Sequence, residues 1–146
     1  MKSTVLLLDS NVLMDYLCKR EPNYKFANCL LKICKGNKVK GYIAFHTLPS
    51  IWYILRKPYK EYRRELLLRI AEFLTVVSVP HDEVVAALQN SIFHDFEDCL
   101  QEKCALAVNA DYIVTENIKD FTTSAVPAVT LVDILKILYQ MESVSS

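Results

Sequence analysis

The first sustained run of apolar positions is Val5-Leu6-Leu7-Leu8, and it stops abruptly at Asp9-Ser10-Asn11. Such a run, without polar alternation, predicts a parallel strand covered on both faces over residues 4–8. The pattern then changes to a helical period. Val12, Leu13, Tyr16 and Leu17 share one side of a helix over 10–18, and Arg20-Glu21-Pro22-Asn23 breaks it. Phe26, Leu30, Leu31 and Ile33 predict a second helix over 24–35, stopped by Gly36-Asn37. Residues 39–45 read as a strand. Thr47 is placed to cap the next helix, with Pro49 in the first turn, where a missing N–H costs nothing. That helix reaches about Arg56, Pro58 interrupts, and residues 59–73 predict another. A strand over 74–79 ends at Pro80. Helices over 82–91 and 95–108, strands over 112–115 and 127–131, and a last helix to about Tyr139 complete the chain. The strand–helix alternation predicts an α/β fold with a helix-covered parallel sheet of about five strands.

The length of 146 residues suits one domain over residues 1–141, with 142–146 as a loose tail. Hydrophobic residues make up 52% of the chain, which argues against disorder. No apolar run approaches the roughly 18–20 residues that span a bilayer. The five apolar residues before Asp9 are too few for a signal peptide core, so a cytoplasmic protein with no membrane partner is expected. Cys18, Cys29, Cys34, Cys99 and Cys104 form no C-x-x-C pair and read as reduced, mostly buried thiols rather than a zinc site. The only glycines are Gly36 and Gly41, too few for a Walker loop or a dinucleotide fingerprint, whose backbone must approach phosphate closely.

Acidic and basic residues balance at 17 each, so their distribution matters more than their sum. In open α/β sheets, ligands bind beyond the carboxyl ends of the strands. Asp9 stands at such an end, and so does Thr115-Glu116-Asn117-Ile118-Lys119-Asp120, after the strand Tyr112-Ile113-Val114. Asp95 and Asp98, three apart, share a helix face in its first turn, with Glu97 pointing to a different side. Carboxylates gathered in this way suit Mg²⁺ or Mn²⁺, and such ions support in-line displacement at phosphorus. The competing reading makes Asp95 and Asp120 caps and Asp98 a helix-dipole partner. Asn11 stands where an aspartyl-phosphate-forming phosphohydrolase would need a second aspartate, which disfavours that chemistry.

At these residues the chain resembles the PIN-domain family, including the VapC-like toxins of toxin–antitoxin pairs. Asp9-Ser10-Asn11-Val12-Leu13-Met14-Asp15 resembles its opening D-x-N-V-L-x-D, and Asp95-Phe96-Glu97-Asp98 its D-x-x-D helix. Asp111-Tyr112-Ile113-Val114-Thr115-Glu116-Asn117-Ile118-Lys119-Asp120-Phe121 resembles its closing D-x-I-V-T-R-N-x-x-D-F. The resemblance implies a three-layer α/β/α fold and a Mg²⁺- or Mn²⁺-dependent ribonuclease site with an antitoxin partner. It implies that Asp9 and Asp98 hold the metal, that Asp120 or Asn117 completes the site, and that Asp95 and Asn11 orient the ligands. The chain departs from the family in lacking an acid over residues 47–57, where active members carry a glutamate; Ser50 falls nearest that place. Glu116 stands where arginine is common, and Asp15 or Glu116 is the candidate to compensate. The alternative function is a catalytically degenerate module that binds RNA or protein.

Arg56, Lys57, Lys60, Arg63, Arg64 and Arg69 crowd one stretch, with Tyr53, Tyr59 and Tyr62 among them. Arginine binds phosphate bidentately and tyrosine stacks on unpaired bases, so Arg56, Lys57, Lys60, Arg63 and Arg64 form a candidate RNA or antitoxin surface. Glu61 and Glu65 interrupt the run, and the competing reading is a solvated amphipathic helix burying Leu66, Leu67 and Ile70. His46, His81 and His94 are dispersed, with His94 expected in a loop or at the surface. Trp52, Phe93, Phe96 and Phe121 are expected in the core. Exposed apolar positions on the early helices are compatible with a homodimer.

Overall fold

A computed structural model of the chain describes residues 2–93 and 95–145. His94, like Met1 and Ser146, lies outside the described residues. Five parallel strands form one sheet: β1 (Thr4–Leu8), β2 (Val39–Ala44), β3 (Leu74–Val77), β4 (Tyr112–Val114) and β5 (Ala128–Val129), in the order β3-β2-β1-β4-β5. The helices are α1 (Ser10–Leu17), α2 (Tyr24–Lys35), α3 (Thr47–Ile54), α4 (Tyr62–Ile70), α5 (His81–Gln89), α6 (Phe96–Ala107) and α7 (Leu131–Ser145), with a 3₁₀ turn at Ile118–Phe121.

The alternation of side chains along β1 divides the core. Leu6 and Leu8 point to the layer of α1, α2, α4 and α7, packing with Leu13, Leu30, Ile51, Ile70 and Ile134. Leu7 points to the other layer, with Cys99, Leu100 and Cys104 of α6, Ala87 of α5, and Phe93 and Phe121. Each strand side chain therefore buries its apolar area against a helix on its own face. This is the three-layer α/β/α arrangement that a two-sided apolar strand requires. β1 is central, and the chain leaves it first toward β2 and later toward β4. The carboxyl ends of β1 and β4 thus form the switch point where crevices open in such sheets.

Several local expectations change. Thr47 is the first residue of α3 rather than its cap; His46 precedes it without a capping side-chain bond, because the Thr47 hydroxyl faces inward and is 2% exposed. The helix expected over 59–73 is only Tyr62–Ile70, preceded by turns in which Lys60 takes a positive φ of 44°. Its Leu66 and Leu67 are half-buried, whereas Ile70 is buried. Phe96 is 38% exposed and Trp52 half-buried, whereas Phe93 and Phe121 are core residues as expected. α7 runs on to Ser145, so residues 142–145 are helical where a loose end was expected; Glu142 pairs with Lys38 at 3.3 Å. All five cysteines are free thiols; Cys34, Cys99 and Cys104 are buried, Cys18 is half-buried and Cys29 exposed. No described helix is long and apolar enough to cross a membrane.

Leu8 is fully buried one residue before the switch point. Leu8→Ala is expected to cost about 2–5 kcal/mol through lost burial and a residual cavity, read as a lowered denaturation midpoint in urea.

Candidate active site

The site begins with Asp9. It follows β1, its amide donates to the Val114 carbonyl at 3.0 Å, and its side chain caps α1 by accepting from the Ser10 amide at 2.8 Å. Two further donors reach the carboxylate from other elements. Gln101 Nε2 of α6 donates to Oδ1 at 3.1 Å, and the Thr115 hydroxyl beyond β4 donates to Oδ2 at 2.8 Å. Asp9 is 9% exposed, Gln101 3% and Thr115 0%. A carboxylate withdrawn this far from water needs such donors, since an unpaired buried charge costs several kcal/mol. Gln101 Nε2 also reaches the Thr47 hydroxyl at 3.4 Å, tying the start of α3 to the same point.

Beyond Asp9 lies a hollow of about 130 Å³, lined by Asp9, Ser10, Asn11, His46, Thr47, Ser50, Glu97, Asp98, Gln101 and Asn117. Asp9 and Asp98 meet here, as expected, and Asn11, Ser50 and Asn117 join them. Asp95 accepts from the Asp98 amide at 3.0 Å and caps α6, so the capping reading was the right one for its side chain. Glu97, expected to point away, lines the hollow with Asp98.

The other expected acids are elsewhere. Asp120 is exposed on the 3₁₀ turn and does not line the hollow; its charge reaches Asp98 from outside. The Thr115 hydroxyl accepts from the Asn117 amide at 3.0 Å, which pins the loop so that Asn117 faces the hollow and Asp120 falls beyond it. Asp15 is buried against Arg20, 3.0 Å away, in the loop joining α1 to α2. Glu116 accepts from the Leu131 amide at 3.4 Å, at the start of α7. Neither lines the hollow. Among the described residues, no three His, Cys, Asp or Glu side chains gather closely enough to cage a metal.

Burial, reinforced by the charges of Asp95, Asp120, Asp9 and Glu97, pushes the Asp98 carboxyl up to about 7. The hollow therefore holds more negative potential than its own residues neutralise. The donor set fits a magnesium-like cation, which needs only one or two carboxylates because it keeps several waters; Asp9 and Asp98 supply those two.

The α3 side is different in kind. Ser50, in the place expected for an acid, donates its hydroxyl back to the His46 carbonyl at 3.3 Å. His46 lines the hollow, and neither ring nitrogen has a hydrogen-bond partner of sound geometry within the protein, although the Glu97 main chain lies beside it. Burial lowers its pKa, against the opposing pull of Glu97, Asp9 and Asp95. Gln101 Oε1 is likewise buried without a partner. Sequence reasoning passed over His46, Gln101 and Thr115. The signals were available: His46 and Thr115 follow the carboxyl ends of β2 and β4, and Gln101 lies three residues after Asp98 on one helix face.

The basic stretch folds back on its own aromatics. The Arg63 guanidinium lies 3.6 Å from the Trp52 ring centroid and donates to the Trp52 carbonyl at 2.9 Å. Arg56 lies 3.7 Å from the Tyr53 ring centroid and donates to its carbonyl at 2.7 Å. Arg64 is 5.2 Å from Trp52, and Lys57 and Lys60 are exposed. Trp52, expected in the core, thus serves as a stacking platform beside an apolar groove lined by Leu48, Leu67 and Val76.

The chain thus builds a parallel α/β/α domain with an acidic hollow at the switch point of its sheet. The PIN domain model matches residues 5–119, and the chain belongs to the PIN-domain family. It is similar to the Ribonuclease VapC1 of Aquifex aeolicus (strain VF5), 25% identical over 121 residues covering 76% of this chain and 84% of that protein. Among solved structures it is similar to VapBC2 from Rickettsia felis bound to a promoter DNA fragment, at 20% identity and a TM-score of 0.64, covering 87% of this chain and 98% of that one. It is also similar to VapC20 of Mycobacterium tuberculosis, described as a sarcin–ricin loop cleaving toxin, at 13% identity and a TM-score of 0.63, covering 83% and 95%.

Two outcomes test the geometry. Thr115→Val removes a buried donor to a charged carboxylate and is expected to cost about 1–3 kcal/mol at neutral pH, measured by chemical denaturation. Because the folded state holds the Asp98 proton up to about 7, stability falls as pH rises from the ordinary carboxylate range through that value. The metal-free protein should therefore melt at a lower temperature near pH ~8 than near pH ~5, and Asp98→Asn should narrow the difference.

Proposed function

We propose that this chain is a metal-dependent endoribonuclease that cleaves RNA phosphodiesters and acts as the toxin of a toxin–antitoxin pair. The observation that carries the reading is the meeting of Asp9 and Asp98 in one hollow at the switch point of the sheet. On this reading Asp9 and Asp98 hold Mg²⁺ or Mn²⁺, with Asp120 adding negative charge from the rim. A bound ion of this kind would lower the pKa of a coordinated water and would stabilise negative charge on the phosphorus oxygens. Gln101, Thr115 and the Ser10 amide keep the Asp9 carboxylate in one orientation, leaving it no freedom to swing away. Asn11 and Asn117 line the hollow and orient the RNA backbone, while Ser50 supports the wall by holding the His46 carbonyl. Arg56, Lys57, Lys60, Arg63 and Arg64 track the strand beyond the hollow, and Trp52 and Tyr53 lend stacking faces. The toxin assignment draws on the VapC and VapBC relatives, whose antitoxin-bound forms support a small protein partner here.

A second reading has an observation of its own. The α3 wall is neutral, and no three-acid cage forms among the described residues. A degenerate module would bind RNA or protein with affinity that survives Asp98→Asn and would show no metal-dependent melting shift.

Purified protein is expected to cleave RNA with Mg²⁺ or Mn²⁺, to stop in EDTA, and to lose about 100-fold or more of its rate in Asp98→Asn. Cleavage that persists in EDTA, or that is indifferent to Asp9→Asn, rules the nuclease reading out.

A further inference from the structure

The α3 side of the hollow carries no acid: Ser50 stands nearest the place where the family pattern puts one, and His46, just before α3, lines the same hollow. Its position is defined on several sides. The ring meets Phe45 edge-on, with centroids 5.4 Å apart at 76°. The next residue, Thr47, is tied through Gln101 to Asp9. The Ser50 hydroxyl grips the His46 carbonyl from one turn along α3. A ring held this firmly, with both nitrogens buried and without a well-formed hydrogen bond among the described residues, carries a desolvation cost that packing alone does not explain.

The hydrogen-bonding capacity around it indicates what it meets. The acidic residues lining the same hollow are Asp9, Glu97 and Asp98, which in their ionised forms only accept hydrogen bonds. An RNA phosphodiester presents more acceptors to that hollow, so it needs donors from the chain. Most inner donors are already engaged. The Gln101 amide donates to Asp9 and Thr47, the Ser50 hydroxyl to the His46 carbonyl, the Ser10 amide to Asp9 and the Asn117 amide to Thr115. The Asn11 and Asn117 side chains are half-exposed, where water competes. An imidazole has an N–H on at least one nitrogen in either protonation state, and neither ring nitrogen of His46 has a hydrogen bond of sound geometry among the described residues, the Glu97 main chain being its nearest protein acceptor.

We propose that His46 is a substrate-touching residue of this site, its ring donating a hydrogen bond to a non-bridging oxygen of the bound RNA phosphodiester on the wall where an α3 carboxylate would otherwise stand. The inference rests on the nuclease reading above and deepens it. The neutral α3 wall repels phosphate less than a carboxylate would, and the imidazole adds a donor facing the scissile group. Gln101 acts through others as a positioning residue, coupling the His46–Thr47 corner to Asp9.

The test compares wild type, His46→Ala, His46→Gln and Asp98→Asn. Binding of a short randomised single-stranded RNA is read by fluorescence anisotropy in EDTA, and steady-state cleavage is read with Mn²⁺. His46→Ala should bind RNA about tenfold more weakly and raise KM by a similar factor, with a smaller change in kcat. His46→Gln, which restores an N–H donor, should recover most of the loss. Melting temperatures of both variants should stay within about 2 °C of wild type, since no intramolecular bond is removed. A histidine kept for packing would show the opposite: a lower melting temperature, unchanged RNA affinity and no rescue by glutamine. If wild type cleaves RNA and Asp98→Asn does not, while His46→Ala binds and cleaves like wild type, this inference falls and the nuclease reading stands. If His46→Ala does not fold, His46→Gln decides alone, and a loss of affinity as large as Asp98→Asn shows in rate would overturn the donor role. Wild type that neither binds nor cleaves RNA removes both readings.

Discussion

The Asp9 carboxylate accepts hydrogen bonds from the Ser10 amide, the Gln101 side chain and the Thr115 hydroxyl. Those donors belong to the start of α1, the middle of α6 and the loop after β4, elements distant in sequence. A carboxylate that is 9% exposed cannot stay charged without them, because removing it from water costs more than any single hydrogen bond returns. The three elements must therefore arrive together. Their meeting point is the carboxyl end of β1, where the parallel sheet changes direction and a crevice is unavoidable.

Around that anchor the hollow is electrically lopsided. The α6 side brings Asp98 and Glu97, with Asp95 and Asp120 close enough to add to the field. The α3 side brings His46, Thr47 and Ser50, none of them acidic. Burial, reinforced by the neighbouring carboxylates, raises the proton affinity of Asp98. The nearby cationic groups do not enter the hollow to cancel this charge. Arg63 and Arg56 are held against Trp52 and Tyr53 by stacking and by bonds to main-chain carbonyls. The acidic and basic regions stay separate, which is how a chain of balanced charge can hold a cation at one place and approach a polyanion at another.

The fold was largely legible because its signals are local. Continuous apolar runs at residues 4–8 and 112–114 read as two-sided strands, and helical periods between them imposed the crossovers. Boundaries were harder where local and tertiary demands compete. Thr47 has the side chain of a cap, yet its hydroxyl is taken by Gln101. The helix expected from residue 59 begins at Tyr62, after turns that position Tyr59 to donate to the Leu17 carbonyl at 3.1 Å.

The site divides along the same line. Asp9 and Asp98 were readable from sequence because a strand end and a helix first turn are local signals, and Asp9, Asp98, Asn11 and Asn117 do line one hollow. Asp120 does not line the hollow, whereas Asn117, whose amide donates to the Thr115 hydroxyl, does. Asp15 and Glu116 found partners in Arg20 and the start of α7, contacts that no spacing rule specifies. His46 and Gln101 come together only because β2 and α6 pack next to Asp9, from which they are far apart in sequence. The chain by itself determined its strand–helix order and the acids at its element ends, since these follow from periodicity and backbone geometry. Packing alone decided which polar side chains share the crevice and which are left there unpartnered, since burial and hydrogen-bond competition act between residues far apart in sequence.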